Sequence, residues 1–132
     1  MAILTNENYV KKAEVAINNL KEKKNEYGRR IPMVTTSKIR NLLAISADIF
    51  NEVRLSREDK LSDEVLGRIN YLKIRFFYEA GRDKDGSVRA FLEEAEIVEC
   101  INEIGNSKAK YLLFNRYMEA LIAYHKFYGG KD

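Results

Sequence analysis

Apolar residues recur at intervals of three and four along five stretches of this chain, and no stretch sustains the alternation of a half-buried strand. The first stretch runs from about Asn6 to Lys24. It puts Tyr9, Ala13, Ala16, Ile17 and Leu20 on one face, with Thr5 or Asn6 as its cap. The second runs from about Ser37 to Val53 with a stripe of Ile39, Leu42, Leu43, Ser46, Ile49, Phe50 and Val53. The third opens at Ser62, where Leu61 and Leu66 are spaced for a hydrophobic staple, and is expected to end at Gly81 in a left-handed turn. The fourth starts at Ser87 as its cap, carries Val88, Phe91, Ala95 and Val98 on one side, and stops at Gly105. The fifth runs from about Ser107 to Tyr128 and ends at Gly129-Gly130. The longest predicted loop is 25–35, which holds Gly28 and Pro32. With no repeat and no low-complexity tract, the pattern predicts an all-α fold, a compact single-domain bundle of about five helices spanning residues 1–132.

Polar positions on these helices carry the candidate chemistry. On the third, the core stripe is Val65, Ile69, Leu72, Phe76 and Ala80. Away from it lie Arg68, Arg75 and Arg82, seven apart and so drifting only about 20° per step around the axis. Tyr71 and Tyr78 sit beside them, also seven apart. Guanidinium forks match phosphate oxygens and phenol rings stack on bases, so this face suits a nucleic acid. It equally suits a salt-bridged surface whose tyrosines fill an interhelical groove. Lys73 falls on the core side and must snorkel or reach a neighbour.

The start of the second helix, Thr35-Thr36-Ser37-Lys38-Ile39-Arg40, places Lys38 and Arg40 where the helix dipole favours acids. Hydroxyls, N–H groups and two cations there read either as a phosphate cradle or as an ordinary hydroxyl cap with solvated cations. The fifth helix is apolar almost all round, apart from a wedge holding Asn115, Arg116, Glu119 and Lys126. Such a helix is central, or covered by another subunit.

Composition adds exclusions. The chain has 132 residues, a formal net charge of +3, one histidine and one cysteine. A usual zinc site or a Ser-His-Asp or Cys-His triad would have to use His125 or Cys100. His125 falls within the apolar stripe and reads as a core residue with a satisfied hydrogen bond. Cys100 falls opposite the stripe of the fourth helix and reads as a surface thiol. No glycine spacing matches a phosphate-binding loop. The sequence therefore assigns no catalytic residue, no metal ligand and no cofactor. There is no run of about 20 apolar residues for a membrane and no signal-peptide pattern, and a single cysteine suits a reducing cytoplasm. Charge is unevenly placed: net +5 over residues 1–82, −5 over 83–104 and +3 over 105–132. This blocking suits a protein that meets an anion on one face and a basic neighbour on another, or simply a solvated glutamate-rich helix.

The strings TTSKIRNLL (35–43), RINYLKIRFFYEAGR (68–82) and RYMEALIAYHKFYGGKD (116–132), with the opening MAILTNENYV, resemble the small helical subunit of type III-A CRISPR effector complexes. The resemblance covers most of the chain and is weakest at 21–34, 54–64 and 83–90. It implies a non-catalytic helical bundle that stacks head to tail in several copies as the inner filament of an RNA-guided interference complex. Its implied partners are the duplex of target RNA and CRISPR RNA, further copies of itself, and the backbone and large subunits that carry the nuclease activities. Carried over by position, the implied RNA-backbone contacts are Lys38, Arg40, Arg68, Lys73, Arg75, Arg82, Arg116 and Lys126. Tyr78, Gly81, Tyr117 and Tyr124 are implied to be architectural. Two rival readings are a helical protein–protein adaptor with no RNA role and a small metal-dependent nuclease.

Overall fold

The computed structural model describes residues 2–129. Among them are six helices: α1 (Tyr9–Glu22), α2 (Thr36–Val53), α3 (Asp63–Arg82), α4 (Ser87–Glu94), α5 (Ile97–Ile104) and α6 (Lys108–Phe127). The all-α expectation holds, with one helix more than the five read from periodicity. Gly130, half of the predicted terminal glycine pair, lies outside the described residues.

α6 is the axis of the molecule. It packs against α1, α2 and α5, and it buries Tyr111, Phe114, Tyr117, Met118 and Leu121 completely. Asn115 and His125 join them in the core, whereas Leu112, Leu113, Ile122 and Tyr124 are half-buried and Phe127 is exposed. Polar groups that enter this core are paired, because an unpaired buried polar atom costs about 1–3 kcal/mol. Ser46 Oγ donates to Asn115 Oδ1 (2.8 Å), and Tyr111 donates its hydroxyl proton to the Ser46 carbonyl (2.6 Å). His125 Nε2 donates to the Val34 carbonyl (2.6 Å), while Nδ1 faces Thr36 Oγ1 at 3.3 Å. His125 is therefore the satisfied core histidine expected from its place in the stripe.

The extra helix comes from a break at Ala95–Glu96. Glu96 is left-handed at φ 53°, ψ 43°, a conformation that costs a non-glycine residue roughly 1–2 kcal/mol. In one continuous helix, Ile97, Cys100, Ile101 and Ile104 would lie about 120–180° around the axis from Val88. The kink resets the phase and turns all four inward, where each is 4% exposed or less. Tyr117 fastens the break by donating its hydroxyl to the Ala95 carbonyl (2.8 Å). This corrects the surface reading of Cys100: the thiol is 1% exposed, and burial pushes its pKa up to about 12.

Helix ends also depart from expectation at one junction. Gly81 lies inside α3 rather than beyond it, and the helix stops at Asp83. Ser87 is not the cap of α4; Asp83 does that work from four residues earlier. Its Oδ2 accepts the Ser87 hydroxyl (2.6 Å) and the Val88 N–H (2.9 Å), while Gly86 supplies the left-handed turn at φ 79°. Ser62 and Ser107 cap α3 and α6 through the N–H groups of Val65 and Lys110. At the first helix, Thr5 and Asn8 exchange side-chain-to-backbone bonds, so Thr5 caps a preliminary turn and α1 proper begins at Tyr9.

The acidic block finds its basic neighbour within the chain. Lys23, just past α1, reaches Glu94 at 2.6 Å and Glu93 at 3.4 Å, and Lys12 reaches Glu96 at 3.5 Å. The Glu103 carboxylate accepts the backbone N–H groups of Ile3 and Leu4. These contacts tie α1 and the N-terminal segment to α4 and α5, and they engage Glu93, Glu94, Glu96 and Glu103 of the acidic block within the chain.

Candidate nucleic-acid interface

α2 and α3 are consecutive helices that run antiparallel, so the start of one faces the end of the other. Two ion pairs mark the ends of the groove between them. Lys38 Nζ meets Asp83 Oδ1 at 2.9 Å at one end, and Arg68 Nη1 meets Glu52 Oε2 at 2.8 Å at the other. From Lys38 to Glu52 is fourteen residues of helix, about 21 Å. The groove holds two open cavities that meet at Ile45. One, of about 440 Å³, is lined by Lys38, Asn41, Arg75, Glu79, Arg82 and Asp83 over a floor of Leu42 and Ile45. The other, of about 410 Å³, is lined by Asp48, Glu64, Gly67, Arg68 and Tyr71 over Ile45 and Ile49.

The first cavity unites two features that are separate in sequence, the start of α2 and the arginine face of α3. Arg75 Nη2 and Arg82 Nη1 both approach the same oxygen, Glu79 Oε1, at 3.0 and 3.7 Å. Their guanidinium carbons lie 5.3 and 5.8 Å from the centre of the Tyr78 ring, within cation–π range. Three cations and two carboxylates thus share the opening, which leaves an excess of one positive charge. The hydroxyls expected to join them do not. Thr35 Oγ1 already caps α2 through the Lys38 N–H (3.3 Å), and Thr36 is buried against His125. What forms is a seat of side-chain cations rather than a cradle of helix N–H groups.

Asp83 is the organising acid. Burial raises its pKa, but hydrogen bonds from Ser87, Lys38 and the Val88 N–H outweigh this and hold the carboxyl at about 2. One carboxylate therefore both caps α4 and fixes Lys38 beside α3. Asp83 was not singled out from sequence; the signal was its place four residues before a buried serine at a helix start. Glu79 is the hub of the guanidinium pair.

Lys38, Arg75 and Arg82 come together, and Arg68 lies farther along the same groove. The other implied contacts do not line it. Arg40 is exposed on α2, Arg116 and Lys126 are exposed on α6, and Lys73 donates to Asn102 Oδ1 at 2.7 Å, reaching a neighbour as its phase required. Among the described residues no group of three or more His, Cys, Asp or Glu side chains is placed to hold a metal ion, and no helix is long and apolar enough to cross a membrane.

Comparison with known proteins agrees along the whole chain. The family model described as Csm2 Type III-A matches residues 14–131. The CRISPR system Cms protein Csm2 of Streptococcus thermophilus is 45% identical over 133 aligned positions, covering all of both chains. The protein of that name from Mycobacterium tuberculosis (strain H37Rv) is 38% identical over 126 positions, 96% of this chain and 95% of the relative. That from Enterococcus italicus is 38% identical over 97 positions, 72% and 68% of the two chains. With a sequence that matches over the full length, the chain belongs to the Csm2 type III-A family.

Proposed function

We propose that this protein is a non-catalytic small subunit of a type III-A CRISPR interference complex, and that the α2–α3 groove is the surface it turns to the RNA backbone. The observation that carries the reading is the meeting of Lys38 with Arg75 and Arg82 in one open cavity, with Arg68 about two helical turns farther along α3. Phosphate contacts of this kind position a strand without reading its bases, and base pairing between guide and target supplies sequence recognition. The partners are the duplex of target RNA and CRISPR RNA, further copies of this chain, and the backbone and large subunits, in the cytoplasm. Each groove cation already has an intramolecular carboxylate, so an isolated subunit binds RNA weakly; several copies on one strand raise the avidity. Of the acidic block, Glu93, Glu94 and Glu96 already pair with Lys23 and Lys12 in the free chain, while Asp85 and Glu99 are exposed.

The test is fluorescence anisotropy with a labelled guide–target RNA duplex across a salt series, comparing the wild type with the triple variant K38Q/R75Q/R82Q. Loss of the phosphate contact that these three cations share should weaken binding and flatten the plot of log affinity against log salt by roughly 1. The adaptor reading has one observation in its favour: Ile74 and Phe77 on α3 are 61% and 53% exposed beside the arginines. On that reading the triple variant leaves RNA binding and its salt dependence unchanged.

A further inference from the structure

The cations of the α2–α3 cavity are held by two acids of different character. Asp83 is 8% exposed and is bound to Ser87 Oγ and the Val88 N–H as well as to Lys38, so it cannot move without unseating the start of α4. Glu79 is 22% exposed, and its ion-pair partners are Arg75 and Arg82 on its own helix. A rotation about its side-chain bonds frees it into solvent and disturbs no backbone. The two guanidiniums would keep their places meanwhile, because both also rest near the Tyr78 ring.

A carboxylate that bridges two guanidiniums carries one negative charge on two oxygens. A backbone phosphodiester carries the same charge on two non-bridging oxygens and matches the same donors. The cavity that Glu79 occupies also contains the Lys38 ammonium and the Asn41 amide, which face the opening from α2.

We propose that the cavity seats one phosphodiester of the RNA between Lys38, Arg75 and Arg82, and that the Glu79 carboxylate holds that place in the RNA-free chain and leaves it on binding. The inference rests on the reading that this groove faces RNA. It makes Glu79 an affinity-setting residue: every binding event must first break its two ion pairs, which keeps single subunits off stray RNA. Asp83, by contrast, stays put in both states and keeps Lys38 aimed across the groove.

The experiment uses the full chain and the same labelled guide–target RNA duplex, with wild type, E79Q, K38Q/R75Q/R82Q and E26Q. Glu26 is an exposed acid in the loop after α1, so E26Q removes the same charge away from the groove. Circular dichroism checks that each variant is folded. The expected result is that E79Q binds about three- to tenfold more tightly than wild type, with a salt slope steeper by roughly one, while E26Q binds as wild type does. If E79Q is neutral, or gains no more than E26Q, while the triple variant still loses affinity, the displaced-carboxylate idea is overturned and the RNA-facing groove stands. Weaker binding by E79Q overturns it too, since the carboxylate would then be holding the arginines for RNA rather than standing in for it. If the triple variant binds as wild type, the RNA-facing reading falls and this inference with it.

Discussion

Replacing Asp83 with asparagine tests whether one carboxylate joins three elements. Asparagine keeps the size and one acceptor oxygen but loses the charge and the second oxygen. In the native chain Oδ1 accepts from Lys38, and Oδ2 accepts from both the Ser87 hydroxyl and the Val88 N–H. The cost can be reached in two ways. A carboxyl held at about 2 instead of 3.8 is stabilised at neutral pH by about 2 kcal/mol, at 1.36 kcal/mol per pKa unit. From the bonds, the one remaining oxygen serves either the α4 cap or Lys38, so the variant loses the other contact and the charge on the one it keeps, about 1–2 kcal/mol in all. The two routes agree at about 2 kcal/mol. Because the folded pKa is depressed, this stability is fully present above the unfolded value near 3.8 and is lost as pH falls toward 2. Roughly half of it should remain at pH 3. Urea denaturation of wild type and D83N at pH 7, 4 and 3 measures the difference directly. The gap should be about 2 kcal/mol at pH 7 and should shrink toward pH 3. A gap below about 0.5 kcal/mol at pH 7, or one that does not change with pH, would refute the reasoning.

Other buried groups give sharper yes-or-no outcomes. Cys100, with its thiol pushed to about 12 by burial, should react with a disulfide reagent at pH 8 at least about a hundredfold more slowly in the folded chain than in urea; comparable rates would put it at the surface. Tyr117→Phe leaves the Ala95 carbonyl at the α4–α5 break without its donor, so stability should fall by about 1–2 kcal/mol and amide protection should drop first at 97–101 in hydrogen exchange. Loss of protection spread evenly over the chain would count against a local fastening. His125→Leu strands the Val34 carbonyl and the Thr36 hydroxyl in the core, and urea denaturation should show a loss of about 2–4 kcal/mol; a neutral variant would mean these groups find other partners.

The arginine face of α3 and the cations at the start of α2 were both legible as candidates, and so was the core role of His125. Their spacing alone fixes which side of a helix they occupy. Their meeting was not legible, because nothing local says that Lys38 and Arg82, 44 positions apart, lie across one groove. That depends on α2 and α3 packing antiparallel, which long-range burial decides. Nor could periodicity show that Thr36 would be spent on His125, or that Glu93, Glu94, Glu96 and Glu103 would be taken by Lys12, Lys23 and the N-terminal backbone. Charge pairing is a matter of which surfaces the core brings together.

Sequence by itself determined that this chain is helical, where five of its helical stretches run, which faces are apolar, and the family to which its longest signature strings point. Those follow from the helical period and from composition, which act over a few residues. Tertiary structure decided what a local rule could not. The stretch from Ser87 to Gly105 holds two apolar stripes on opposite sides, Val88 with Phe91 and Ile97 with Ile101 and Ile104. A straight helix would strand one of them in water. The fold accepts a left-handed Glu96 instead, at a cost of roughly 1–2 kcal/mol, because burying those isoleucine side chains returns several times that.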